Sequence, residues 1–188
     1  MSNESTVTVK ISAKSARLLF HGCEPGYIQA VCHAACCDAP SRPTGMLVAI
    51  HHSEQPRIEA RGGRISLGLL QPIPGKRGCP FKTGAHLCAL HGGQDKPFGC
   101  IASPFTLNRN NTLIVRNRYK LLRCYRDGLL PAYRAFGQSL VLLFGALVAA
   151  RITRHLDAGG ADLLVPMSAS VREMLVTNDA VKQKHPAK

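Results

Sequence analysis

Acidic residues are scarce in this chain of 188 residues, where 11 Asp and Glu stand against 24 Lys and Arg for a formal charge of +13. Such an excess points to an anionic partner, a nucleic acid or an acidic protein surface. Aromatics are also few, at 5%. That disfavours recognition of single strands by base stacking and leaves phosphate contacts as the mode such a partner would use.

Long apolar runs are missing. The longest uncharged stretch, residues 135–150, contains Gln138, Ser139 and two glycines before Arg151 and Arg154 close it. A bilayer-spanning helix needs about 20 predominantly apolar residues. No membrane span is therefore expected, and the stretch should be a helix buried in the core or shared across a dimer interface. The opening residues, Met1 to Thr6, are polar and show no export signal, so a cytoplasmic location is expected. Also lacking are a phosphate-binding loop, a dinucleotide glycine pattern, a His-Glu-x-x-His motif and a Ser/His/Asp order. Carboxylates are sparse beside the cysteines, which argues against hydrolytic zinc chemistry with a nearby general base.

What the chain does have is clustered cysteine. Cys32, Cys36 and Cys37 form one group, Cys79, Cys88 and Cys100 a second, and Cys124 follows. Eight cysteines in an exported chain would suggest four disulfides, but in a reducing compartment metal ligation or redox chemistry is the better reading. An isolated core cysteine is simply a small hydrophobe. These sit amid Pro, Gly and His, which are loop neighbours, and crowded thiolates repel one another unless a cation neutralises them. Soft sulfur selects zinc, copper(I) or iron, the last as an ion or an iron-sulfur cluster, over magnesium or calcium. The expected ligands are Cys32, Cys36, Cys37, Cys79, Cys88, Cys100 and Cys124, enough for two zinc ions sharing ligands or one iron-sulfur cluster with thiols to spare. Adjacent residues do not easily point at one tetrahedral ion, so Cys36 and Cys37 suit different metals, or one ligand and one neighbouring group. Cys23 or His33 is a replacement candidate for a lost ligand, while a lone histidine beside ligands, as His33 and His91 are, is more often a hydrogen-bond donor to them or a solvated loop residue.

From Lys96 to Arg126 the basic residues Lys96, Arg109, Arg116, Arg118, Lys120, Arg123 and Arg126 have no acid among them. They form either an anion-binding surface or a solvated strand face.

The expected fold class is α+β, a small irregular cysteine-rich metal-binding domain with short antiparallel strands and hairpins and a C-terminal helical part. Val7, Val9 and Ile11 alternate with polar residues, the period of a half-buried strand. Residues 45–50 form a short apolar run. Gly62-Gly63 suggests a hairpin joining Arg57–Ala60 to Arg64–Leu67, and Asn108–Asn111 suggests a second hairpin leading into Thr112–Val115. Beyond Pro131 a long helix should stop at Gly159-Gly160. Ser170-Val171-Arg172-Glu173 matches a capping box and predicts a further helix start. The expected organisation is a cysteine-cluster domain over 1–130, a helical cap packed on it over 131–180, and a disordered basic tail over 181–188.

The cysteines and their settings resemble the CxxCxxCC family, the YkgJ-like zinc- or iron-chelating cysteine-cluster domain. Cys32, Cys36 and Cys37 resemble its CC-ended knot, Cys79-Pro80-Phe81 its second element, and Cys88 through Lys96-Pro97 to Cys100 its third. The strand from Thr112 to Tyr119 leading to Cys124 resembles its following strand and late cysteine. Three residues separate Cys32 from Cys36 where the family often has two-residue gaps, His91 replaces its usual tyrosine, and Lys96 replaces an arginine. The resemblance spans roughly residues 20–130 and implies a metal and a domain. Through relatives that methylate flagellin lysines it also implies an alternative, an iron-sulfur-dependent modification enzyme; a nucleic-acid-binding module with a structural metal is the other alternative.

Overall fold

Alternating Val7, Val9 and Ile11 produce strand β1 (Thr6–Ile11), which buries Val9 and Ile11 on one face. In this computed structural model residues 5–38, 48–76, 78–91 and 95–183 are described, the last seven without their side chains. After β1 come α1 (Ala13–Ala16), β2 (Leu19–Phe20), α2 (Pro25–Tyr27), α3 (Gln55–Ala60), β3 (Ile65–Ser66), β4 (Leu69–Leu70) and α4 (Phe98–Ile101). The rest of the chain forms β5 (Phe105–Leu107), β6 (Thr112–Val115), α5 (Arg123–Arg126), β7 (Leu130–Pro131), α6 (Ala132–Ala135), α7 (Gly137–Asp157), β8 (Leu163–Ser168) and α8 (Ala169–Gln183). The class is α+β, as expected.

The chain divides into two compact units, Met1–Cys23 with Ala102–Val176, and Glu24–Ile101 with Thr177–Lys188. Strand pairing explains why the first residues group with the C-terminal half. In the first unit a four-stranded sheet has the order β5-β6-β1-β8, with β1 parallel to β6 and antiparallel to β8. The Asn108–Asn111 turn does join β5 to β6: Asn108 Oδ1 accepts the Asn110 and Thr112 amides at 2.9 and 3.0 Å, and Asn111 takes a left-handed φ of 50°. β8 carried no signal in the sequence reading, because Pro166 and the exposed Leu164 interrupt its pattern.

Leu140, Leu143, Ile152 and Leu156 of α7 are buried, and the helix packs on β8. By length and composition α7 could cross a membrane, with 39% of its most apolar window buried. Its buried face and the break at Gly145, whose φ of 75° only glycine adopts readily, mark it as the helix covering this sheet. It ends before Gly159 at a φ of 80°, as expected, and Arg17 donates to the Leu156 and Gly160 carbonyls at 3.0 and 2.7 Å. α8 begins at Ala169 rather than after Ser170. Ser168 Oγ accepts the Val171 amide at 3.5 Å and hydrogen-bonds Ser170 Oγ at 2.8 Å, so the cap lies two residues earlier than the Ser-x-x-Glu pattern implied. α8 also takes in residues 181–183 of the expected tail; 184–188 lie outside the described residues.

In the second unit the Gly62-Gly63 hairpin is replaced by a helix end. Residues 55–60 are α3, and the Gly62 and Gly63 amides return to the Glu59 and Ile58 carbonyls at 2.8 and 2.9 Å, with Gly62 at a φ of 84°. Gly-Gly signals a left-handed backbone equally well at a helix C-terminus, and Ile58, fully buried, fixes that choice. The true hairpin pairs β3 with β4 across Leu67 and Gly68, both at positive φ. Of the apolar run 45–50, residues 45–47 lie outside the described residues, and Ala49 bridges Leu69.

Candidate thiol-rich centre

Backbone geometry brings the first two cysteine groups together. A π-type turn over Ile28–Cys32 leads into His33 and Ala34, both left-handed at φ of 49° and 47°, and then into a 3-10 turn over Ala35–Cys37. The reversal turns the chain so that the Cys37 carbonyl accepts the Cys79 amide at 2.9 Å, and Asp38 bridges Gly78 in antiparallel fashion. Lys82 Nζ clamps this junction, donating to both carboxylate oxygens of Asp38 at 2.8 and 2.9 Å. A Cβ on Gly78 would sit 3.3 Å from Asp38 Oδ1, so glycine suits this close approach.

Cys79 and Cys88 lie on two arms of a small loop. Lys82 bridges Cys88, the Ala89 amide donates to the Phe81 carbonyl at 2.8 Å, and His86 takes a φ of 62° at the bend. Cys100 is carried by α4. All three pack against one cluster of buried side chains, Val48, Ile50, Ile58, Leu70, Phe81 and Leu90. Placement thus comes from apolar burial as well as backbone bonding.

Pairwise electrostatic interactions connect the six thiols: Cys32 with Cys36, Cys37 with Cys36, Cys79 and Cys100, Cys79 with Cys36 and Cys88, and Cys100 with Cys36, Cys79 and Cys88. Cys37 is raised far above the usual thiol range, first by its hydrogen bond to Cys36, then by burial and by Cys36, Cys100 and Cys79. The adjacent thiols Cys36 and Cys37 are thus in contact with each other. Burial pushes Cys100 up to about 12, with Cys79, Cys36 and Cys88 adding to the effect and Lys96 opposing it. Cys79 is raised by burial first and then by Cys88 and Cys36, against the Phe81 and Lys82 backbone bonds. Cys32 is raised by burial and by Cys36, against the Ala34 and Ala35 backbone bonds and Lys82. In Cys32, Cys37, Cys79 and Cys100 burial, the Cys36 hydrogen bond at Cys37 and the neighbouring thiols thus favour the protonated form, and a cation among them would reverse that preference.

Cys124 belongs to the other unit, in α5, where its carbonyl accepts the His21 amide at 2.7 Å. None of the eight cysteines forms a disulfide. Among the described residues no three His, Cys, Asp or Glu side chains are already arranged to hold a metal ion. Neutral thiols pack as small apolar groups, so nothing aims their sulfurs at a common point without a cation. The chain matches no family model, no curated protein and no solved structure.

Of the histidines weighed from the sequence, His33 stacks edge-on against His86 with ring centroids 4.5 Å apart, and His91 Nδ1 lies 3.3 Å from Lys96 Nζ. His86 escaped sequence reasoning; its position two residues before Cys88 was the only clue. Glu54 escaped as well. It closes the 3-10 turn His52–Glu54 and is 3% exposed, and its partner Phe98 lies 44 residues away, beyond any local pattern.

The basic residues between Lys96 and Arg126 do not share one environment. Arg116 is 6% exposed, whereas Arg109, Lys120, Arg123 and Arg126 are exposed, and Arg123 Nε donates to Asp127 at 3.3 Å.

Proposed function

We propose that the Glu24–Ile101 unit is a metal-binding module holding zinc, iron or an iron-sulfur cluster through thiols drawn from Cys32, Cys36, Cys37, Cys79, Cys88 and Cys100. The observation that carries this reading is the backbone bond from Cys79 to the Cys37 carbonyl, which joins the two cysteine groups over one apolar floor shared by Cys79, Cys88 and Cys100. The donor set fits a thiophilic metal: six sulfurs exceed the four a tetrahedral ion takes, so Cys124 is not required. The resemblance to YkgJ-like cysteine-cluster domains supports the same reading. Bound metal would hold the thiols as thiolates and add its binding free energy to that of folding. A cytoplasmic setting, which keeps thiols reduced, belongs to this proposal.

Metal analysis of anaerobically prepared protein is the test. One or more zinc or iron atoms per chain, retained through gel filtration and lost with a Cys37→Ser/Cys79→Ser double variant, is the expected result. Brown colour with absorbance near 400 nm would assign iron-sulfur chemistry and bring forward a modification enzyme. Protein that takes up neither metal under reducing conditions overturns the reading. A second reading, docking of a nucleic acid, is supported by the exposed Arg109, Lys120, Arg123 and Arg126.

A further inference from the structure

We infer that Glu54 is the positioning residue of the thiol-rich centre, acting through the helix that carries Cys100. α4 is only four residues long and follows Pro97, whose side chain can accept no hydrogen bond. Its first amide needs an acceptor from elsewhere. Glu54 supplies it: Oε1 accepts the Phe98 amide at 2.8 Å in a buried setting. The same oxygen accepts Arg57 Nη2 at 2.6 Å, and Oε2 accepts the His51 amide at 3.2 Å. Both oxygens of a carboxylate that is 3% exposed are thus used. One backbone partner lies at the start of its own turn and the other opens the Cys100 helix.

The consequence is mechanical. Only Gly99 lies between Phe98 and Cys100, and the Cys100 amide donates to the Pro97 carbonyl at 2.9 Å, so the turn capped by Glu54 is the turn that presents the thiol. On the other side Glu54 leads directly into α3, whose Ile58 lies in the floor against which Cys79, Cys88 and Cys100 pack. Glu54 therefore ties the floor to the helix that displays one of the thiols. It touches no thiol by any of these bonds and acts by fixing Cys100. The inference rests on the metal-binding reading for its purpose, but its geometry can be tested without metal.

The test uses the full chain, with Glu54→Ala and Glu54→Gln compared with the parent. In metal-free protein, alkylation of each cysteine is followed by mass spectrometry. Glu54→Ala should speed modification of Cys100 about 10-fold or more and leave Cys23 unchanged, as expected for loss of an opening-controlled constraint. Zinc affinity, measured by competition with a chromophoric chelator, should fall about 10- to 100-fold, the usual effect of removing a group that orients a ligand. Glu54→Gln keeps an acceptor oxygen for the Phe98 amide and should recover most of both effects; it also serves where the alanine variant does not fold. Unchanged Cys100 reactivity in folded Glu54→Ala overturns the inference, as does a glutamine variant as impaired as alanine in both readouts. If the parent binds neither zinc nor iron yet Cys100 reactivity responds as stated, the metal reading fails while the positioning role stands.

Discussion

Replacing Ile58 with alanine should loosen the thiol-rich unit selectively. Ile58 is fully buried, and it meets Gly63 and Phe81 closely: a Cβ built on Gly63 would lie 2.6 Å from Ile58 Cγ2 and 3.0 Å from Phe81 Cζ. Ile58→Ala removes three carbons, a transfer loss of about 2.4 kcal/mol at ~0.8 kcal/mol each. Gly63 has no side chain to move into the gap, and if about 40 Å³ persists the cavity adds about 1 kcal/mol at ~24 cal/mol per Å³. The expected destabilisation is about 3–4 kcal/mol, read from urea unfolding followed by circular dichroism. Because Cys79, Cys88 and Cys100 rest on the same floor, their alkylation in metal-free native protein should accelerate. Ile152→Ala is the control, a fully buried isoleucine in the other unit. It should cost a similar amount and leave those three thiols unchanged. A loss below about 1 kcal/mol for Ile58→Ala, or equal acceleration in both variants, would refute the reasoning.

Metal-free protein should lose stability as pH rises from about 9. Cys100 ionises in the folded chain only near about 12, so unfolded thiols release protons first and alkali favours the unfolded state; denaturation midpoints that stay flat between pH 8 and 11 would contradict this. In the other unit, the Tyr133 hydroxyl and Arg134 hold Asp157 below the usual carboxylate range, with Tyr133 donating at 2.7 Å. Its stabilisation is present above the unfolded carboxyl pKa and is lost as pH falls through the folded value, so Asp157→Asn should flatten the acid limb of a pH-melting curve. Gly128→Ala should destabilise by about 1–3 kcal/mol, since its Cβ would clash with the Leu19 carbonyl where β2 meets β7; an unshifted melting temperature would count against this geometry. If the exposed Arg109, Lys120, Arg123 and Arg126 dock nucleic acid, binding to random-sequence duplex should weaken between 50 and 200 mM salt by roughly 10²-fold, the fall expected for about four phosphate contacts, and Arg126→Ala should reduce the slope.

Patterns set by neighbouring residues were legible in the sequence. The Val7–Val9–Ile11 alternation, the asparagine turn and the glycine stop after α7 each need only a few adjacent positions, and each appears where expected. Features decided by distant partners were not. Gly62-Gly63 is compatible with a hairpin or a helix end, and burial of Ile58 decides between them. β8 exists because β1 offers it a full antiparallel partner, from Thr6 opposite Ser168 to Ile11 opposite Leu163. Glu54 reads as an ordinary surface carboxylate until its partners at Phe98 and Arg57 are seen. Clustering named the six thiols of the Glu24–Ile101 unit, but no local signal could show that Cys37 and Cys79 share a backbone bond.

That division bears on how the centre would work. Apolar packing and backbone bonds can bring sulfurs near one another, since a protonated thiol behaves as a small hydrophobe. They cannot make the sulfurs point at a common centre, because the thiols gain nothing by doing so and, once ionised, repel. The hydrogen bond to Cys36 leads in raising Cys37 and burial leads in raising Cys100, and in both that repulsion adds to the effect. A metal ion would change the sign of the interaction, and each thiol that ligates as thiolate would release its proton to solvent on binding. Zinc titration in two buffers of different ionisation enthalpy would count those protons: more than one released per ion at pH 7 is expected, and none released would mean that the thiols raised here are not the ligands.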